Sequence, residues 1–104
     1  MSRWAMVLVG AWVLWNQTWL TDTKGSDQSW TPLGGFEGRR ECIAEQQKHR
    51  QNAQLVPLVK GGEKAIQTIP NEFGAMNVFR DGTSTENYFI CLPDTIDPRA
   101  PRAK

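Results

Sequence analysis

Apolar residues are distributed unevenly along the chain. Every position from Trp4 to Trp15 is apolar or glycine, and Asn16, Gln17 and Thr18 then break the run before Trp19 and Leu20 resume it. The stretch Trp12 to Leu20 is rich in aromatic and β-branched residues, the composition of a strand. Alternation puts Val13, Trp15 and Trp19 on one face of that strand and Trp12, Leu14 and Leu20 on the other. With apolar side chains on both faces, the strand is expected to be central or covered. The polar stretch Thr21 to Gln28 carries turn residues around Gly25, and Ser29-Trp30-Thr31 resumes a strand pattern. Together these predict a β-hairpin, which Pro32 should end because proline has no N–H to give to a ladder.

After the Gly34-Gly35 corner, good helix formers dominate from Arg39 to Gln54 and predict the one helix. Gly38 serves as its N-cap, and Glu41 stands where a capping-box acid can reach back to the cap amide. Its inward stripe is narrow: Cys42, Ile43, Gln46, His49 or Arg50, and Ala53. So thin a stripe cannot hold a helix by itself, and Cys42 is the expected point of attachment to the sheet. Residues 55 to 74 mix an extended Leu-Val-Pro-Leu-Val segment with the Gly61-Gly62 breaker, which predicts mainly loop. Asn77 to Arg80 and Asn87 to Leu92 then read as a second hairpin around Asp81-Gly82. In its last strand Phe89 and Cys91 share a face, opposite Tyr88 and Ile90. Pro93, Pro98 and Pro101 predict an extended, mobile tail over residues 94 to 104.

The N-terminal run changes the picture of where the protein resides. Twelve apolar residues behind Arg3 are too few for a membrane span, which needs about 20, and suit the apolar core of an export signal. No pair of small residues follows Trp15, however, and the acceptable cleavage site, Val9-Gly10-Ala11, leaves an apolar core shorter than the usual seven or more residues. The expectation is therefore that residues 1 to 11 are an export leader or the remnant of one, that its true start lies upstream of Met1, and that residues 12 to 93 form a single small domain. Membrane contact is expected only through the N-terminal segment. Mean hydropathy is −0.50, and 12 Lys and Arg against 11 Asp and Glu leave almost no net charge. This balance argues against nucleic acid as a partner, since phosphate binding requires a basic surface.

Cys42 and Cys91 are the two cysteines of the chain. In an exported protein they are expected to pair, and closing a loop of about 50 residues is worth roughly 4 kcal/mol. With no Cys-x-x-Cys arrangement, a redox-active pair lacks its resolving thiol. The sharper alternative is a small metal or redox protein in which Cys42, His49 and Cys91 converge. The expectation favours the disulfide, with no metal and no cofactor. His49 is the single histidine and no Gly-x-Ser-x-Gly segment exists, so no catalytic residue is assigned. Asp94 and Asp97 flank a turn and read as turn-capping carboxylates. Five tryptophans exceed what a small core needs, and Trp15, Trp19 and Trp30 are the candidates for an aromatic binding surface.

Trp12-Val-Leu-Trp15, Trp30 before Pro32-Leu33, Phe36 leading to Glu41-Cys42, and the ending Cys91-Leu-Pro-Asp-Thr-Ile-Asp-Pro-Arg99 resemble small exported bacterial proteins of no established activity. The resemblance covers most of residues 11 to 99. It implies periplasmic or extracellular residence and a disulfide, and carries over no catalytic residue. The combined expectation is an α+β fold: a small antiparallel sheet of two hairpins, one helix packed on it, and a disulfide between them. The function expected of it is a non-enzymatic binding or structural module of the cell envelope.

Overall fold

A computed structural model of the chain describes residues 11–99, so the expected leader lies almost wholly outside the described residues. The strands are β1 (Trp12–Asp22), β2 (Gly25–Phe36), β3 (Val59–Lys60), β4 (Glu63–Lys64), β5 (Gln67–Pro70), β6 (Gly74–Val78) and β7 (Ser84–Pro93), and the helix α1 spans Arg39–Leu55. Five strands form one antiparallel sheet in the order β2-β1-β7-β6-β5, while β3 and β4 make a separate two-stranded ribbon. The expected α+β architecture of hairpins, one helix and a disulfide is present. As its two-sided apolar pattern requires, β1 is interior, with β2 on one side and β7 on the other.

Three local expectations are corrected. Pro32 does not end β2, which continues to Phe36 and forms an edge of the sheet. An edge strand tolerates proline when the missing N–H faces outward, and a register irregularity between Leu14 and Trp15 accommodates it opposite Trp15. Gly34 and Gly35 accordingly lie within a strand rather than at a corner. Residues 55 to 74 are less irregular than their composition suggests. Gly61 and Gly62 both adopt positive φ, +59° and +81°, making the tight turn of the β3–β4 ribbon. Gln67–Pro70 adds a fifth strand to the main sheet. Residues 94 to 99 do not run on extended. The Asp94 amide carries the β1–β7 ladder one pair further by donating to the Ala11 carbonyl (2.8 Å), and the Ile96 amide then donates to the Pro93 carbonyl (3.0 Å) in a turn.

The helix covers one face. Leu14, Cys42 and Phe89 form its core, with Trp12, Phe36, Ala53 and Cys91 packed around them. Cys42 is the one fully buried helical residue, and it is bonded to Cys91 across 49 residues with the Cα atoms 6.2 Å apart. Polar side chains do the rest of the fastening. Gln46 Nε2 donates to the Phe89 carbonyl at 2.6 Å, and Gln54 Nε2 donates to the carbonyls of Asn71 and Gly74, both at 3.1 Å. The need for these bonds follows from the ladder. Pairing of β6 with β7 stops at Gly74–Tyr88, so beyond it the Phe89 amide turns to the Phe73 carbonyl (3.0 Å) and the Phe89 carbonyl needs a donor from elsewhere. A helix with little apolar surface is thus held by one covalent bond and by amides that complete an interrupted sheet.

Candidate functional site

Among the described residues the opposite face of the sheet carries no helix, and it is where Trp15, Trp19 and Trp30 gather. Directly paired residues on neighbouring strands point to the same side, so Trp15, Gln17 and Trp19 of β1 stand with Pro32, Trp30 and Gln28 of β2 and with Ile90, Tyr88 and Glu86 of β7. The hairpin register fixes the arrangement: Gln17 lies opposite Trp30 and Trp19 lies opposite Gln28. The two tryptophans therefore occupy one diagonal of a four-residue patch and the two glutamines occupy the other. Asp22 sets that register. Its Oδ1 accepts from the Lys24 amide at 2.7 Å, and Gly25 at φ +134° completes a turn with only Thr23 and Lys24 between the strands.

These three tryptophans do not have equal standing. Trp15 is 2% exposed, with the Trp30 ring edge-on at 6.4 Å and the Arg99 guanidinium 4.9 Å above its own ring. It is a packing residue, which corrects its place in the expected binding surface. Its buried indole N–H meets no acceptor among the described residues. Trp19 and Trp30 remain half-buried. With Gln17, Gln28, Pro98 and Arg99 they line an open groove of about 760 Å³, within the range of ligand clefts.

The tail supplies one wall of this groove. Asp97 accepts from the Arg99 amide at 2.9 Å and holds the guanidinium through two further bonds of 2.9 Å, from Nε and from a terminal nitrogen. Bidentate charge-assisted pairing of this kind orients an arginine as well as neutralising it. The hydrogen bonds from Arg99 hold the Asp97 carboxyl below its ordinary range, and the same bonds push the Arg99 guanidinium further up. Asp97 therefore caps a turn as its sequence position suggests, and it also aims Arg99 at Trp15. On the neighbouring strand, the Tyr88 hydroxyl donates to Glu86 at 2.6 Å, a bond that raises the phenol's pKa.

A second, smaller concavity of about 260 Å³ lies on the helix side, between Asn16, Asn77, Asn87, His49 and Phe89. Asn77 is spent on structure, its Oδ1 accepting from Thr68 Oγ1 (2.7 Å) and from the Leu58 amide (3.2 Å). Thr18 donates to Asn87 Oδ1 at 3.0 Å. The buried Asn16 Oδ1 is unpaired among the described residues. Ala53, Val56, Pro57, Leu58 and Val59 complete a lining that is about half apolar.

The structure does not bring Cys42, His49 and Cys91 together as ligands. The two sulfurs are bonded to each other, and the His49 ring stacks on Phe89 with centroids 5.4 Å apart. Among the described residues no group of three His, Cys, Asp or Glu side chains gathers as a metal site would require, and no helix is long and apolar enough to cross a membrane. Gln17, Gln28 and Arg99 were not singled out by the sequence pattern. The signal for the glutamines was the two-residue turn, which dictates that Gln17-x-Trp19 lies against Gln28-x-Trp30; Arg99 had none, because its placement depends on the tail's return. Comparison with protein-family models, curated proteins and solved structures returns no match.

Proposed function

We propose that this chain is an exported, non-enzymatic binding module of the cell envelope, and that it binds through the groove on the face of the sheet opposite α1. The observation that carries this reading is the disposition of Trp19 and Trp30. Both rings are partly exposed on a rigid β-hairpin, with amide side chains between them and one wall fixed by an ion pair. Large aromatic surface offered beside hydrogen-bonding groups is characteristic of recognition sites. A core-only role leaves it unexplained, since Trp15 already fills the space beneath. Export is supported by the apolar run behind Arg3 and by a disulfide, a bond that persists in oxidising compartments.

The test is co-sedimentation with washed cell envelopes. The purified disulfide-bonded protein is expected to pellet with them, and a Trp19→Ala/Trp30→Ala double variant of unchanged circular dichroism is expected to stay in the supernatant. Equal pelleting of the two proteins would refute the groove as the binding site. Recovery of the native protein from the cytoplasm with two reactive thiols would refute export.

A further inference from the structure

Resting on the reading of the groove as a binding site, we propose that its ligand is a neutral oligosaccharide, with sugar rings lying on Trp19 and Trp30 and polar groups of their edges paired to Gln17 and Gln28. The chemistry of the lining selects this class. Among the described residues Arg99 is the one charged side chain that lines the groove, and it is bonded to Asp97 through two 2.9 Å contacts. A site neutralised in this way offers no net attraction to a phosphate, a nucleotide or an acidic polymer, for which unpaired cations are needed.

What the groove does offer is two tryptophans and two primary amides, alternating across the hairpin. Pyranose rings present C–H faces that pack on indoles, and their edges present groups that both donate and accept. A glutamine side chain has the same dual character, with a carbonyl acceptor and two N–H donors. It can pair a sugar hydroxyl, which donates and accepts in the same way, or one end of an acetamido group. A purely apolar ligand would leave the amides of Gln17 and Gln28 without partners, at a cost on binding. The diagonal spacing also favours a chain over a single ring. Trp19 and Trp30 sit on different strands and are offset along them, so a ligand that covers both must extend across the hairpin. The volume, about 760 Å³, holds a short oligosaccharide and is generous for one monosaccharide.

The experiment is a calorimetric and tryptophan-fluorescence titration of the disulfide-bonded protein with chitotetraose, cellotetraose and an oligogalacturonate. Saturable binding of the neutral sugars chitotetraose and cellotetraose is expected, little changed by salt. Trp19→Ala and Trp30→Ala should each weaken it about tenfold or more. Because Trp30 also packs on Trp15, Gln28→Ala is the companion variant: its side chain is exposed, so the fold is retained, and affinity for the neutral sugars should fall about fivefold, the worth of one net hydrogen bond. Absence of saturable binding by the folded protein, or tighter binding of the oligogalacturonate that weakens steeply with salt, would overturn the neutral-glycan proposal. If envelope co-sedimentation still depends on Trp19 and Trp30 in that event, the groove stands as a binding site for other chemistry; if it does not, the binding-module reading fails as well.

Discussion

Reducing the Cys42–Cys91 bond should cost this domain about 4 kcal/mol. With the cysteines 49 positions apart in sequence, the loop-closure relation gives an entropy near 14 cal/mol/K, or about 4 kcal/mol at 25 °C. That is large for a domain of this size, whose whole stability is expected at about 4–13 kcal/mol. The structure offers little to compensate. Cys42 is the only buried residue of α1, and the rest of its inward stripe is half-exposed. The assay is urea unfolding followed by tryptophan emission, oxidised against reduced. Reduction keeps both sulfur atoms in place and so isolates the cross-link from packing, which a Cys42→Ala/Cys91→Ala variant would not. With an m-value near 1 kcal/mol/M the midpoint should fall by about 3–4 M, or the reduced chain should be unfolded without denaturant. A fall of less than about 1 M would show that α1 is held by other means and that the thin stripe was wrongly judged insufficient.

Three further outcomes are expected. A Cβ at Gly74 would fall far inside contact of the Asn87 carbonyl oxygen and 3.0 Å from its carbon, so Gly74→Ala should destabilise by about 2 kcal/mol or more in the same unfolding assay. Gly34→Ala, whose Cβ would rest 3.5 Å from the Phe36 ring, should be tolerated. Gln46→Ala removes the donor to the Phe89 carbonyl and should cost about 1–3 kcal/mol, whereas Lys48→Ala, which breaks an exposed pair with Glu45, should change stability by less than about 1 kcal/mol. Because the folded-state pKa of Asp97 is depressed by Arg99, the pair contributes fully above the ordinary aspartate value and is lost as pH falls through the lower folded value. Acid titration should therefore change tryptophan emission below the usual aspartate range as Arg99 leaves Trp15, and Asp97→Asn should abolish that transition; an identical transition in the variant would contradict the assignment.

The parts of the fold that were legible are those where local pattern and tertiary context agree. Trp12 to Leu20 is apolar on both faces, which only an interior strand satisfies, and β1 lies second in the sheet. The helix bounds and its half-buried stripe followed from composition and spacing. Cys42 and Cys91 were the only pair available. What the residues concealed was set at a distance. Pro32 breaks an interior strand but not an edge, and nothing local says that β2 has one neighbour. Gln67–Pro70 is short and ends in proline, and it becomes a strand only because β6 is beside it. Trp15, Trp19 and Trp30 were equivalent by composition. The fold separates them because Trp30 and the returning Arg99 close over Trp15 and leave the other two rings at the surface.

The role of that surface is most directly tested by the indole N–H signals of the tryptophans in a heteronuclear NMR spectrum, recorded as chitotetraose is added to the disulfide-bonded protein. The account predicts that the Trp19 and Trp30 indoles shift and saturate together, while Trp15, buried beneath Arg99, and Trp12, packed on the helix side beside Arg39, stay in place. Unmoved Trp19 and Trp30 signals, or shifts confined to Trp12 and the helix face, would contradict it.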